Sequence, residues 1–398
     1  MGKSNRQRRA MKARKRPRPS GSPPAGRFAS GPRPEPAAIA ADLEASVAAA
    51  WERGWQPVDL HRFVQRRVGA DAARLLREVM ATEAASYADL GGRVARGWMA
   101  QLEHIGVVAE RGDLAAALVR AGTGSAAVVD VTFGLLGVLQ TLPAIPRLVD
   151  PPSAWVEGTV HPAGDLPAGL LAKIRALLAK AESTTFDAEA EAYTAKAQEL
   201  MARHRIDRAL LADAAPVDDG DVVARRIGID DPYASAKYLL LAGLAQVNGA
   251  RAVWSKALGS ATVFGFPVEL DIIEELFTSL LVQATAAMQR EGSKEDAYGR
   301  NRTKAFRRSF LLAYGDRIAE RLRHSVEDTV TTVAAETGTD LVPLLAARDD
   351  AVAARVDDVF PRLRSMSTSI SDAEGVFAGR LAADRADLSA GPPIERSA

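Results

Sequence analysis

Two sets of cationic side chains are the most concentrated chemistry in this chain. Arg6, Arg8, Arg9, Lys12, Arg14, Lys15 and Arg16 crowd residues 1–16, and Lys294, Arg300, Arg302, Lys304, Arg307 and Arg308 gather near Glu291, Glu295 and Asp296. Such side chains neutralise phosphates and release counterions, so a polyanion held by them dissociates steeply as salt rises. The first set carries no device for reading a base sequence. In the second, Lys304, Arg307 and Arg308 fall at i, i+3 and i+4, one face of a helix whose start they would occupy against its dipole. Trp254, Phe264 or Tyr298 would add base stacking if the chain brings them beside that face. A solvated face without a partner is the competing account.

His204 and Asp207 stand at i and i+3, a spacing that can share a metal or a proton. His61, His104, His161 and His324 supply no spaced partner. Asp207 capping a short helix over Arg208–Ala212, with His204 packed beneath Met201, accounts for both without chemistry. Gly122-Thr123-Gly124-Ser125-Ala126-Ala127 has the GxGxxA form of a dinucleotide loop. That loop needs a strand before it and an acid about 20 residues on. Leu114–Arg120 reads as helix, and the first acid well beyond the loop is Asp150, so an interhelical loop fits better.

GxSxG, SxxK and P-loop motifs are absent. Glu182, Glu189, Glu191 and Glu199 lie beside Lys180, Lys196 and Arg203 and read as solvated ion pairs, Glu199 and Arg203 at i, i+4. No metal or cofactor is expected. A hydrolase-type enzyme with dispersed groups around His204 and Asp207 stays open.

The chain has no cysteine, which excludes disulfide scaffolds, thiolate metal sites and cysteine nucleophiles and fits a cytoplasmic protein. A net charge of +1 hides strong segregation. Residues 1–36 hold eleven basic side chains against Glu35 alone, a net of +10. Residues 37–398 keep 40 basic and 49 acidic, a net of −9. The basic start runs into Pro17, Pro19, Pro23 and Pro24 rather than an apolar stretch, so no secretory signal is expected. Gly2 is followed at position 6 by Arg6, where a myristoylation signal has Ser or Thr. Val131–Pro146 is shorter than the about 20 residues of a spanning helix and contains Gly134, Gly137 and Pro143; a buried core helix, and no membrane contact, is expected.

A chain of 398 residues needs two or three domains of roughly 100–200 residues. Residues 1–36 are expected as a disordered tail, since Arg, Lys, Pro, Gly and Ser bury too little apolar surface to offset chain entropy. Apolar periodicity predicts helices over Ala37–Arg53, from Pro57 to Gly69, and over Ala72–Tyr87, Arg93–Ile105, Asp113–Arg120 and Ala126–Leu142, a helical front domain at 37–142. Six prolines from Pro143 to Pro167 predict a linker or extended wrap at 143–166. Leu170, Leu171, Ile174, Leu177 and Leu178 form one stripe and Ala190, Tyr193, Ala197 and Leu200 another, an αα-hairpin at 167–212.

Residues 222–324 read as a small α+β domain in the order β-α-β-β-α-α: strand Val223–Ile229, a helix to Val247, strands Arg251–Lys256 and Ala261–Phe266, a helix closed by Gly292, and a helix over Thr303–His324. Helices over Leu341–Val359 and near Ala373–Leu388 make a helical C-terminal region at 325–388, before a frayed end at 389–398. The expected class is mainly α.

Lys173-Ile174-Arg175-Ala176-Leu177-Leu178-Ala179-Lys180-Ala181-Glu182-Ser183-Thr184, Glu189-Ala190-Glu191-Ala192 and the run Lys196-Ala197-Gln198-Glu199-Leu200-Met201-Ala202-Arg203-His204-Arg205-Ile206-Asp207 resemble the family catalogued as domain of unknown function 2786. The segment with Phe264-Gly265-Phe266 and Phe306-Arg307-Arg308-Ser309-Phe310 resembles the uncharacterised domain that commonly accompanies it. The resemblance implies domain boundaries and no catalytic residues. Non-enzymatic nucleic-acid association, nonspecific and salt-dependent, is the leading expectation. A protein-interaction scaffold is the alternative.

Overall fold

The computed structural model describes residues 35–88, 90, 93–109, 112–120, 126–155, 173, 176–177, 196, 199–207, 209–210, 222–365 and 368–386. Arg6 to Arg16, Gly122 to Ser125 of the GxGxxA loop and most of the αα-hairpin lie outside them. Among the described residues, eleven α-helices and one short 3₁₀ turn accompany a single three-stranded antiparallel sheet, a mainly α architecture.

Six helices build the front unit: α1 (Pro36–Glu52), α2 (Pro57–Arg67), α3 (Ala70–Ala84), α4 (Arg93–His104), α5 (Leu114–Arg120) and α6 (Ala126–Gln140). α1 and α2 open on proline, whose missing N–H would be unsatisfied in a first turn anyway. Leu43, Val47, Leu60, Leu76, Met80 and Leu102 are fully buried, and the rings of Trp51 and Trp98 meet edge to face at 5.1 Å. α6 contributes buried Leu135 and Leu139; among the described residues no helix is long and apolar enough to cross a membrane. The first part of the proline-rich stretch wraps this unit. Trp55 Nε1 donates to the Pro143 carbonyl at 2.8 Å, and the Ile145 N–H to the Arg53 carbonyl at 2.9 Å. Gly54, at φ +88°, is required there, because a Cβ would stand 2.3 Å from the Ile145 oxygen.

The second unit follows the expected order. β1 (Val223–Gly228), α7 (Ala234–Val247), β2 (Arg251–Ser255), β3 (Ser260–Gly265), α8 (Pro267–Arg290) and α9 (Thr303–Thr337) succeed one another. The sheet order is β1-β3-β2, with Ala224 opposite Phe264 and Val253 opposite Thr262. Central β3 is buried at every residue, so both of its faces must be covered. Ala261 and Val263 point into the main core with Leu240, Leu241, Leu276 and Ile318. Phe264 points the other way, against Val352 and Val356 of α10 (Val342–Val359).

α9 differs from the expectation: it does not end near His324 but runs on to Thr337. The helical C-terminal region packs back onto this unit. α11 (Ala373–Asp384) folds back across the start of α9, where Cβ atoms at Gly375 and Gly379 would stand 2.5 and 2.3 Å from the carbonyl oxygens of Phe306 and Phe310. Two glycines one helical turn apart thus let the two backbones touch.

Charged struts join the units. Arg226 on β1 reaches Asp59 of α2 at 2.7 Å, the Gly54 carbonyl at 3.2 Å and the Pro146 carbonyl. Arg62 reaches Asp230 at 2.5 Å. The helical stretch 199–207 packs on the extension of α9, with Ile206 beside Val333 and Leu341, Arg203 on Glu336 and Arg205 on Asp349 at 2.6 Å.

Candidate nucleic-acid interface

The cationic cluster begins where Gly292 stops α8 and continues through a tight loop into α9. Asp296 organises the loop: Oδ1 accepts the N–H groups of Tyr298 and Arg300, each at 2.9 Å, and its own N–H donates to the Arg300 carbonyl at 3.0 Å. Glu295 and Asn301 bridge across the base, the Arg302 N–H donates to the Lys294 carbonyl at 2.9 Å, and the Lys294 N–H donates to Thr303 Oγ1 at 2.9 Å. Arg300 Nε also donates to Asp296 Oδ2 at 2.6 Å. The backbone N–H of Arg300, then that of Tyr298 and the Arg300 guanidinium, hold the Asp296 carboxyl below its ordinary range.

Six cations converge here with two different fates. Lys294 donates to Glu291 at 3.0 Å and Glu374 at 2.8 Å, and its ammonium lies 4.7 Å from the centre of the Phe306 ring. Arg302 reaches Asp372 at 2.7 Å and also Glu374. Hydrogen bonds from Lys294 and Arg302 hold the Glu374 carboxyl below its ordinary range, and Glu374 and Glu291 in turn raise Lys294. These two cations therefore anchor α11. Among the described residues, no carboxylate pairs with Lys304, Arg307 or Arg308; Lys304 is exposed, and the buried Nε of Arg307 has no hydrogen-bond partner. Arg300 is largely exposed beyond its bond to Asp296.

Of the three aromatics named beside the cluster, Phe264 is fully buried, edge-on to Phe360, because the two-residue period of β3 turns it under α10. Trp254 packs on Tyr238 with ring centres 5.6 Å apart. Tyr298 is the one that stays in water, 85% exposed, with the Arg300 guanidinium 5.4 Å from its ring centre.

His204 lines a cavity of about 20 Å³ with Met201, Arg205, Asn248, Glu269 and Ile272, while Asp207 is exposed. Asp207 is itself helical, and the short helix Arg208–Ala212 expected after it lies mostly outside the described residues. Among the described residues, no group of three His, Asp or Glu side chains could hold a metal. Glu199 makes the surface pairs expected of it, with Lys196 at 2.7 Å and Arg203 at 3.1 Å. Glu182, Glu189 and Glu191 lie outside the described residues. The GxGxxA loop is preceded by α5, a helix where a dinucleotide site has a strand.

Residues 199–207 lie within a wider match: residues 169–208 match the family described as protein of unknown function (DUF2786). The match covers none of the α+β unit. No curated protein and no solved structure matches the chain.

Proposed function

We propose that this chain is a non-enzymatic, cytoplasmic nucleic-acid-associated protein, with residues 1–36 as an electrostatic tether and Arg300, Lys304, Arg307 and Arg308 as a docking face on the folded body. The observation that carries the reading is charge segregation: +10 over residues 1–36 against −9 over the rest. An acidic body repels a polyanion, so a concentrated basic arm is what would bring one near it. The retention of Lys304, Arg307 and Arg308 without carboxylate partners, while neighbouring Lys294 and Arg302 are neutralised by α11, supports the second element.

The test is titration of the full chain and of residues 37–398 with labelled duplex and single-stranded nucleic acid across a salt series, with circular dichroism to verify folding. Removing the tail is expected to weaken binding uniformly across sequences. It should also flatten the dependence of log K on log salt by about 0.9 for each duplex phosphate that the tail neutralises. Unchanged affinity would overturn the tether.

A protein-interaction scaffold is the second reading, favoured by α11, where Phe377 is 71% exposed and Leu381, one turn on, is also exposed. Loss of self-association in light scattering on changing Phe377 to Ser would favour it, whereas a wild-type chain that scatters as a monomer would count against its homotypic form.

A further inference from the structure

We propose that the loop tip Tyr298-Gly299-Arg300 is a stacking platform for an unpaired base, so that the protein binds single-stranded in preference to duplex nucleic acid; this rests on the nucleic-acid reading above. Aromatic side chains gain most from burial, and the chain buries Trp55, Trp98, Phe264, Phe306 and Phe310 almost completely. Tyr298 is held out in water by a loop whose conformation is fixed on both sides. Asp296 accepts from the N–H of Tyr298 and of Arg300, and the Lys294–Thr303 base closes the loop onto α9. The loop therefore cannot close over the ring without breaking those bonds.

Arg300 completes the platform. Its Nε is tied to Asp296, which leaves the guanidinium 5.4 Å from the ring centre and largely exposed. A base stacked on Tyr298 would place its phosphates near Arg300, and Lys304 and Arg308 stand in the first turns of the helix the loop leads into. The bases of a duplex are already stacked on one another and present only edges to such a tip, whereas every unpaired base has a face to offer. Glu295, exposed on the same loop, opposes phosphate approach and makes the contribution of stacking more necessary.

The experiment uses the full chain with fluorescently labelled oligothymidine and a duplex of equal length. Tyr298→Ala is expected to lower single-strand affinity by about fivefold to 150-fold, the range for losing one stacked base, and to leave duplex affinity unchanged. Tyr298→Phe should behave as wild type, since the ring and not the hydroxyl stacks. An oligonucleotide carrying one 2-aminopurine should be quenched by wild type and not by Tyr298→Ala. Equal losses on both nucleic acids, or no loss on either, would overturn the platform while leaving salt-dependent binding by the tail intact. Failure of the wild-type chain to bind either nucleic acid at low salt would overturn the parent reading as well.

Discussion

Arg226 and Arg302 do the same job in two surroundings. Each ties together parts of the chain that are far apart in sequence, Arg226 to Asp59 and Arg302 to Asp372, both at 2.7 Å. The Arg226 pair is sealed between the front unit and β1, with side chains only 3% and 14% exposed, and it also binds two backbone carbonyls. The Arg302 pair sits at the mouth of the basic loop, where Asp372 is buried but the Arg302 guanidinium is 29% exposed and also reaches the half-exposed Glu374. Burial pushes the Asp59 carboxyl above its ordinary range, with Arg226 and Arg62 pulling the other way. Glu374, the second partner of Arg302, is instead held low by hydrogen bonds from cations. Equal distances thus stand in unequal surroundings, and the strut whose arginine is fully buried is expected to matter more to the fold.

The largest effect should come from breaking the buried strut. Arg226→Met leaves the Asp59 carboxylate buried without its partner and is expected to cost about 3–5 kcal/mol, seen as a lower urea midpoint. The paired change Arg226→Met with Asp59→Leu should recover most of that loss, because removing both charges also removes their desolvation penalty. The carbonyls of Gly54 and Pro146 would keep the recovery partial. If the double variant is as unstable as the single one, the strut's value lies in its geometry, and burial is not what sets it apart from Arg302.

An intermediate effect tests what holds α11 in place. If the partly exposed pairs of Arg302 and Lys294 are secondary, the backbone approach at Gly379 must dominate. Gly379→Ala would gain about 1 kcal/mol of helix propensity in open space. Here its Cβ meets the backbone oxygen of Phe310, so a net loss of about 1–3 kcal/mol in thermal or urea unfolding is expected. A stabilised variant would show that α11 can shift outward freely.

Much of this fold is legible in the sequence because its signals are local. Pro57 and Pro267 mark helix starts, Gly292 a helix stop, and the strands on either side of Ala257-Leu258-Gly259 a hairpin, each acting within one turn of itself. The end of α9 is not legible, since beyond His324 only Thr329 and Val333 are buried, and Val333 is covered by Ile206 and Leu341 from remote segments. The site divides in the same way. The cations of 294–308 are plain in the sequence, but the carboxylates that neutralise two of them come from α11, 70 and 80 residues away. Spacing alone cannot tell Arg302, which anchors a helix, from Lys304, which does not. Phe264 and Tyr298 look equally suitable as stacking partners until strand register buries the first.

The smallest effect distinguishes the two carboxylates by the sign of their response to acid. Because the folded carboxyl of Glu374 sits below its ordinary value, it stabilises the fold above the ordinary glutamate range, and that stability is lost as pH falls through its folded value. Asp59 has the opposite sign: raised in the fold, its ionised form opposes folding, and acid relieves that opposition. Glu374→Gln should therefore lower the urea midpoint at pH 7 only slightly, far less than Arg226→Met. It should also flatten the decline of stability between about pH 5 and pH 3, where a free glutamate takes up its proton. Asp59→Asn should steepen the same decline, by deleting the one of the two groups that favours the acid side. Parallel acid limbs in wild type and both variants would mean that neither carboxylate changes its proton affinity on folding, and burial would then no longer separate the two struts.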